Sequence, residues 1–399
     1  MTRASSLSLL KITLYLLFLS AIGCSRQDPR DLSSVAWGSV PAIVDHSDRP
    51  LPSPWEYSIE LEIGSDSGAE EYLLRSPFVM IVMPDNSIVI GDDKPLQLRV
   101  YNAHGSHVAS FSQPGGGPGD LTPSHFGWVM RPVGERSFQL WSGWPPRMQE
   151  WTTSGELLTV ETIAGSHPIL LGTTPRTLGF SDEKLFWVTS SSRRDREGRD
   201  FITSHVLFGD IQGAAVDTLA SIPHEPMPAM HQMILQFGLV DAVFLKDQVV
   251  KTKGNRLYIA SWTEDWITEI DLSRGVPVSR FRWVHEPESI TGTVDDKTTA
   301  RFDEPGQEAF AEGLTWLRDR VSILGMAEGP DGQILVQRTS ESIDDQWPTD
   351  VFSAEGRYLG RVMLPVEPRT AVVRGSNLYG LGTDQGIPVV RVLRIALPQ

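Results

Sequence analysis

The sequence predicts an all-β fold, a six-bladed β-propeller, from three observations. A polar turn followed by a β-rich apolar run recurs six times, with the turns beginning at residues 84, 134, 181, 253, 330 and 374. Alternating strand pairs joined by a turn follow most of these units, as in 98–111 and 350–364. A lone alternating strand, 55–64, precedes the first unit. Four antiparallel strands in each repeated unit are typical of propeller blades.

The two ends of the predicted propeller domain, 55–399, fit a closed ring. The last unit provides only three strands, near 369–373, 378–382 and 389–396. Strand 55–64 can supply the fourth, and its pairing there would remove an exposed sheet edge. We therefore expect the N-terminal strand to complete the last blade.

The composition is that of a globular protein with a strongly acidic charge. Of the 399 residues 40% are hydrophobic, the mean hydropathy is −0.16 and the formal net charge is −15. This charge argues against a nucleic-acid partner, because affinity for nucleic acid comes mainly from Lys and Arg. The single cysteine, Cys24, rules out an internal disulfide or a site of several thiolates.

Residues 1–23 have the features of a lipoprotein signal peptide. Arg3 and Lys11 are basic, and the apolar run 12–22 is shorter than a bilayer span. The run ends in Ala-Ile-Gly-Cys, which resembles the bacterial lipobox and implies cleavage before Cys24 and acylation of that residue. The alternative interpretation is an uncleaved anchor helix with a buried cysteine.

The residues after the predicted cleavage site place the protein at the cell envelope. Acylation of Cys24 would make the lipid bilayer its partner. Ser25 stands where sorted lipoproteins carry Asp for inner-membrane retention, and this resemblance favours the outer membrane. Residues 24–54 are rich in Ser, Asp and Pro, so they predict a flexible tether.

One glycine-rich segment carries a family resemblance. The segment 113–121, Gln-Pro-Gly-Gly-Gly-Pro-Gly-Asp-Leu, follows the strand pair 98–111. It resembles the G-x-GPG-E/D-F/L linker of NHL-like six-bladed propeller proteins, and the similarity covers residues 78–125. Many exported bacterial lipoproteins of that group have no assigned activity, so the resemblance implies a fold without implying a reaction.

Propeller topology predicts which face of the domain carries function. The blade-to-blade loops and the loops between second and third strands share one face, which we call the long-loop face. The long segments 189–203, 222–246, 285–320 and 338–349 all fall on it. Helical spacing of apolar residues predicts a short amphipathic helix within an insert at about 288–320. That helix is either a lid over the central channel or a packing element between two blades.

Acidic and aromatic residues follow the second strands on this same face. The candidates are Asp92, Asp93, Trp141, Trp144, Trp262, Asp265, Asp344, Asp345, Trp347 and Asp384. Carboxylates that converge on the axis would suit Ca²⁺, with Asp92, Asp265 and Asp384 as its ligands. Exposed Trp rings would stack on sugars or peptide side chains. The alternative is that the Asp side chains cap turns and the Trp side chains fill gaps between blades.

Nucleophile and phosphate-binding motifs are absent from the sequence. The glycine run lacks the Lys-Ser/Thr of a phosphate loop, and neither G-x-S-x-G nor H-E-x-x-H occurs. We therefore assign no catalytic residue and expect a non-catalytic module that binds a protein, peptide or glycan on the long-loop face. The rival is a metal-dependent propeller hydrolase, lactonase or lyase, and a third hypothesis is a structural subunit of an envelope complex.

Overall fold

The protein is described by a computed structural model that covers most of the predicted propeller. The described residues are 40–46, 55–121, 128–142, 147–162, 177–181, 184–194, 200–210, 216–223, 248–251, 256–260, 266–274, 276–284, 323, 325–337 and 342–396. Nearly all their regular structure is β, with 25 strands in six sheets and a few single 3₁₀ turns. None of the described segments forms an apolar helix long enough to cross a bilayer. The all-β prediction is confirmed.

The first three sheets follow one another along the chain, each a four-stranded antiparallel meander. Sheet 1 contains β3 (Pro77–Val82), β4 (Ile88–Asp93), β5 (Leu96–Tyr101) and β6 (His107–Phe111). Sheet 2 contains β7 (Val129–Pro132), β8 (Ser137–Ser142), β9 (Arg147–Thr152) and β10 (Leu157–Thr162). Sheet 3 contains β11 (Thr177–Ser181), β12 (Lys184–Arg194), β13 (Asp200–Asp210) and β14 (Val216–Pro223).

The last three sheets repeat the meander, and two of them gain a strand from the N-terminal part of the chain. Sheet 4 contains β15 (Gln248–Lys251), β16 (Arg256–Ala260), β17 (Ile267–Asp271), β18 (Val276–Val284) and β1 (Ala42–His46). Sheet 5 contains β19 (Gly325–Glu328), β20 (Ile334–Gln337), β21 (Trp347–Phe352) and β22 (Tyr358–Leu364). Sheet 6 contains β23 (Val372–Arg374), β24 (Asn377–Asp384), β25 (Ile387–Ala396) and β2 (Glu56–Ile63).

The core lies between neighbouring sheets. The apolar runs predicted from the six turn-plus-strand repeats are the second strands of the six sheets. In β4 both faces are covered, and Ile88, Val89 and Ile90 are all fully buried. Phe281 of sheet 4 packs against Phe352 of sheet 5, with ring centroids 5.2 Å apart. Because each sheet packs on both sides, central strands read as continuous apolar runs.

The first strands of the sheets contact one another in cyclic order. Strand β3 contacts β7, and contacts continue through β11, β15 and β19 to β23. Strand β23 in turn contacts β3. The N-terminal strand β2 pairs antiparallel with β25, the last strand of the chain.

Strand β1 differs from the expectation for the tether. Its residues lie within 24–54, yet they pair in parallel with β18 along the outer edge of sheet 4. The segment Ala-Ile-Val-Asp-His contains two β-branched residues, and the edge of β18 offers unpaired N–H and C=O groups. The strand was not predicted, because the Ser, Asp and Pro residues around this segment indicated a flexible tether. Residues 24–39 and 47–54, Cys24 among them, lie outside the described residues, as does the predicted insert at 288–320.

The glycine-rich linker joins sheet 1 to sheet 2 through a compact loop. The Asp120 carboxylate accepts a hydrogen bond from the Gly117 N–H at 2.7 Å. Leu121 is fully buried in the core that the two sheets share. A Cβ atom at Gly115 would lie 2.3 Å from Asp120 Oδ2, so the loop requires glycine there. The linker therefore acts in packing two sheets together.

Candidate functional site

A cavity of about 570 Å³ opens where sheets 5, 6 and 1 meet. It is lined by Arg75, Ser76, Pro77, Phe78, Trp347, Glu367, Arg369, Thr370, Leu381, Gly382, Thr383 and Pro388. These residues stand just before or at the start of first strands, at the ends of second strands, or at the starts of third strands. All three positions belong to the long-loop face.

The sheet 1 side of the cavity is built on a buried carboxylate. Asp92 Oδ2 lies 3.5 Å from Nη2 of Arg99, and both side chains are at most 1% exposed. Asp92 also accepts hydrogen bonds from the backbone N–H groups of Arg75 at 3.3 Å and Ser76 at 2.9 Å. A third N–H, from Lys94, bonds to the same carboxylate at 3.2 Å. Asp92 therefore fixes the backbone that carries the cavity-lining residues 75–78.

Arg99 extends this network to the segment before β3. Its Nη1 donates to the carbonyl oxygens of Glu70 at 2.9 Å and Glu71 at 3.0 Å. The Tyr101 hydroxyl donates to the same Glu71 carbonyl. Burial raises the pKa of Tyr101 to about 12, so the hydroxyl stays protonated as the donor this bond needs. The segment leading into β3 is thus held by hydrogen bonds to Asp92, Arg99 and Tyr101, and the first two of these side chains form an ion pair with each other.

The sheet 5 side of the cavity is held by a carboxylate in a tight turn. Ile343 and Gln346 exchange backbone hydrogen bonds of 2.7 and 3.0 Å. The two residues between them, Asp344 and Asp345, both have positive φ, at 50° and 58°. This is the backbone of a type I′ hairpin turn, for which Asp is one of the tolerated residues. The turn falls within 338–349, where sequence analysis predicted a long loop.

Asp345 connects that turn to sheet 6. It accepts hydrogen bonds from the Thr383 hydroxyl at 2.5 Å and from the Gln385 N–H at 2.7 Å. The Thr383 bond is the largest cause that holds the pKa of Asp345 below its ordinary value of 3.8. Thr383 lines the cavity, so Asp345 fixes one of its walls.

The candidate carboxylate of sheet 6 lies at the surface. Asp384 is 57% exposed and lies 3.8 Å from Nη2 of Arg391. Arg391 is buried and forms a 2.7 Å ion pair with Glu62 of β2. It also donates to the carbonyls of Pro365 and Thr383, both at 2.9 Å. Arg391 thereby ties the N-terminal strand to the hairpin that forms part of the cavity wall.

The aromatic candidates divide between wall and core. Trp347 lines the cavity and is 7% exposed, whereas Trp141 is 2% exposed within sheet 2 and does not line it. Asp93 bonds through its backbone N–H to the Ser76 carbonyl at 3.0 Å, and Asp344 is exposed. Trp144, Trp262 and Asp265 lie outside the described residues.

The predicted calcium site stays a prediction. Asp92 is engaged with Arg99 and three N–H groups, Asp384 contacts Arg391, and the third ligand, Asp265, is not among the described residues. Within the described part of the chain, no group of three or more His, Cys, Asp or Glu side chains is placed to hold a metal ion.

Sequence analysis missed most of the polar wall. Arg75 and Arg369 precede the first strands of sheets 1 and 6, and Glu367 lies beside Arg369. The blade-to-blade segments were also predicted to lie on the long-loop face, but the candidate residues all come from positions after second strands. The residues just before each first strand were the available signal.

Comparison with known proteins finds similarity to solved structures alone. No family model matches the chain, and no curated protein matches it. A Bacteroides fragilis protein named as an exported protein aligns with 90% of this chain and 99% of its own, at 11% identity and a TM-score of 0.49. The PQQ-bound aldose sugar dehydrogenase of Streptomyces coelicolor aligns over 87% and 100%, at 12% identity and a TM-score of 0.42.

A streptogramin B lyase aligns with 85% of this chain and 98% of its own, at 9% identity and a TM-score of 0.41. These similar structures are β-propeller-like proteins. At such identities and TM-scores, they assign neither an activity, nor a ligand, nor a location to this chain.

Proposed function

We propose that this protein is an exported, lipid-anchored, six-bladed β-propeller that acts as a non-catalytic binding module through its long-loop face. The cavity between sheets 5, 6 and 1 is the observation that carries the binding function. Its volume falls within the range of small-ligand pockets, roughly 300–1,000 Å³. Its ligand is a small molecule, or a side chain or sugar of a larger protein, peptide or glycan.

Two features support six blades in a closed ring. Six sheets have first strands that contact one another in cyclic order. The pairing of β2 with β25 joins the two ends of the propeller within one sheet, as closure requires.

The N-terminal sequence supports the anchor. Acylation of Cys24 would hold the protein at the bilayer of the cell envelope, and Ser25 favours the outer membrane. Labelling of producing cells with a radioactive fatty acid tests this. We expect label in the wild-type chain and none in Cys24→Ser, and label retained by that variant would contradict the proposal.

The architecture of the cavity supports binding because its walls are fixed before any ligand arrives. Asp92 holds residues 75 and 76, and Asp345 holds Thr383. At Gly382, a Cβ atom would lie 2.4 Å from the Pro365 carbonyl oxygen, so the chain passes closely there. A site with fixed walls loses less conformational entropy when a ligand binds.

Filling the cavity tests the binding function. Ser76 lines the cavity and Ser76→Trp would occupy it, whereas Ser376→Trp places the same ring on an exposed turn at the opposite face of sheet 6. The full chain in detergent is screened by ligand-observed NMR against neutral, anionic and cationic aromatic compounds and short oligosaccharides. We expect compounds that bind the wild type and Ser376→Trp but not Ser76→Trp. Identical binding profiles for all three proteins would overturn the proposal.

A further inference from the structure

We propose that the cavity selects an organic monoanion, a carboxylate attached to a flat apolar body, with the carboxylate at Arg75 and the body against Phe78 and Trp347. This inference rests on the proposed binding function and names the class of ligand. It follows from three properties of the wall: its charge, the fixed position of Arg75, and its aromatic surface.

The charge of the wall is opposite to that of the protein. The whole chain has a formal net charge of −15, yet among the described residues the charged side chains that line the cavity are two arginines and one glutamate. Arg369 Nε lies 2.7 Å from Glu367 Oε1, so these two side chains neutralise each other. The charge that remains is the guanidinium of Arg75. An anion repelled by the rest of the surface would therefore find a locally positive site here.

Arg75 is held at its backbone and available at its side chain. Its N–H is bonded to Asp92, and so is the N–H of Ser76, which fixes where the side chain begins. The side chain itself is exposed, and within the described residues it forms neither an ion pair nor a hydrogen bond. A guanidinium presents paired N–H donors that match the two oxygens of a carboxylate.

The aromatic wall suits a flat apolar group. The Phe78 ring meets the Trp128 ring edge-on, with centroids 4.8 Å apart and planes at 72°, and this contact fixes its orientation. Trp347, Leu381 and Pro388 add apolar surface to the same cavity. A ligand body that stacks on such a wall gains from buried area and from ring geometry.

The wall also limits how much negative charge the ligand carries. With Arg369 engaged by Glu367, one uncompensated cation in the described part of the wall, Arg75, remains for the ligand. A dianionic phosphate would bring a second charge close to the Glu367 carboxylate without a further cation to offset it. A single carboxylate matches the wall better.

A matched series of compounds tests this inference on the full chain in detergent. The probes are 1-naphthoate, 1-naphthamide and 1-naphthylmethylammonium, which share a ring and differ in charge. We expect naphthoate to bind at least about tenfold more tightly than naphthamide by tryptophan fluorescence. Raising the salt concentration should weaken the naphthoate complex and leave the naphthamide complex unchanged.

Two arginine variants identify the residue responsible. Arg75→Gln should weaken naphthoate binding about tenfold and leave naphthamide unchanged. Arg357→Gln is the matched control, because Arg357 is exposed in the β21–β22 turn on the opposite face. Equal effects of the two variants would overturn the assignment of Arg75.

The outcomes separate this inference from the proposed function. If naphthamide binds as tightly as naphthoate and Ser76→Trp abolishes both complexes, the cavity is a binding site and only the preference for an anion is wrong. If none of the three compounds binds, or if Ser76→Trp leaves binding unchanged, the proposed function fails at this cavity as well.

Discussion

Two carboxylates, one on the sheet 1 side of the cavity and one on the sheet 5 side, hold its wall in place in different surroundings. Asp92 on the sheet 1 side and Asp345 on the sheet 5 side both accept hydrogen bonds from groups that shape the wall. Asp92 is fully buried beside a buried arginine, whereas Asp345 lies in a partly exposed turn with an uncharged hydroxyl as its partner. The structural role of a carboxylate and its contribution to stability are therefore set by different features.

Burial determines how much each carboxylate contributes to the free energy of unfolding. In the interior, the Arg99 guanidinium depends on Asp92 for the compensation of its charge, and removal of one partner leaves a buried charge uncompensated. Near solvent, water replaces lost hydrogen bonds, so removal of the Asp345 carboxylate costs less. Substitutions at the two positions measure this difference.

Asp92→Ala should have the largest effect. We expect the free energy of unfolding to fall by about 3–5 kcal/mol, because Arg99 is left buried without its counter-charge. Urea denaturation followed by circular dichroism measures this. Asp93→Ala is the control, because the Asp93 side chain is only half-buried. Its removal should lower the free energy of unfolding by less than about 1 kcal/mol. Equal losses in the two variants would show that the buried pair has no special weight.

Asp345→Asn should have an intermediate effect. Asn tolerates the positive φ of this position, so the substitution removes the charge without changing the turn. We expect a loss of about 1 kcal/mol in the free energy of unfolding, from the weakened bonds to Thr383 and Gln385. Asp344→Asn, at the adjacent positive-φ position, is the matched control and should be neutral. A loss of the same size in Asp344→Asn would assign the effect to the turn instead of the carboxylate.

The contribution of Asp345 should also depend on pH. Its pKa in the folded protein lies below the ordinary value of 3.8, so the unfolded state takes up the proton first as the pH falls. The stabilisation is therefore fully present above 3.8 and is lost as the pH falls through the lowered value. We expect the stability difference between wild type and Asp345→Asn to be constant from pH 7 to 5 and to shrink to roughly zero in strong acid. A difference that persists in acid would mean that the charge is not its source.

The strands were predictable because their signals are local. Apolar runs and turn residues lie next to each other in the sequence, and the second strands of all six sheets follow from them. The pairing of Asp92 with Arg99 depends on register, because Asp92 stands opposite Gln97 in the β4–β5 hairpin and Arg99 is its diagonal neighbour. An arginine within the apolar run Leu-Gln-Leu-Arg-Val-Tyr was the available signal.

The cavity was not predictable in the same way. Its wall combines residues 75–78 with Trp347 and the segment 367–388, which lie in three different sheets. Sequence analysis took its candidates from one predicted face but had no measure of the spacing between sheets. It also gave equal standing to Asp92 and Asp384, although one is fully buried and the other 57% exposed.

Calcium should have the smallest effect. A Ca²⁺ ion takes six to eight oxygen ligands, and Asp92 already uses its carboxylate for Arg99 and three N–H groups. We therefore expect EDTA or excess CaCl₂ to shift the melting temperature of the full chain by less than about 1 °C. Stoichiometric calcium in the purified protein, together with a fall of several degrees on chelation, would contradict this and support Asp92, Asp265 and Asp384 as ligands. In that event Asp384→Asn tests whether Asp384 is one of the ligands, because it would lower calcium affinity only if Asp384 binds the ion.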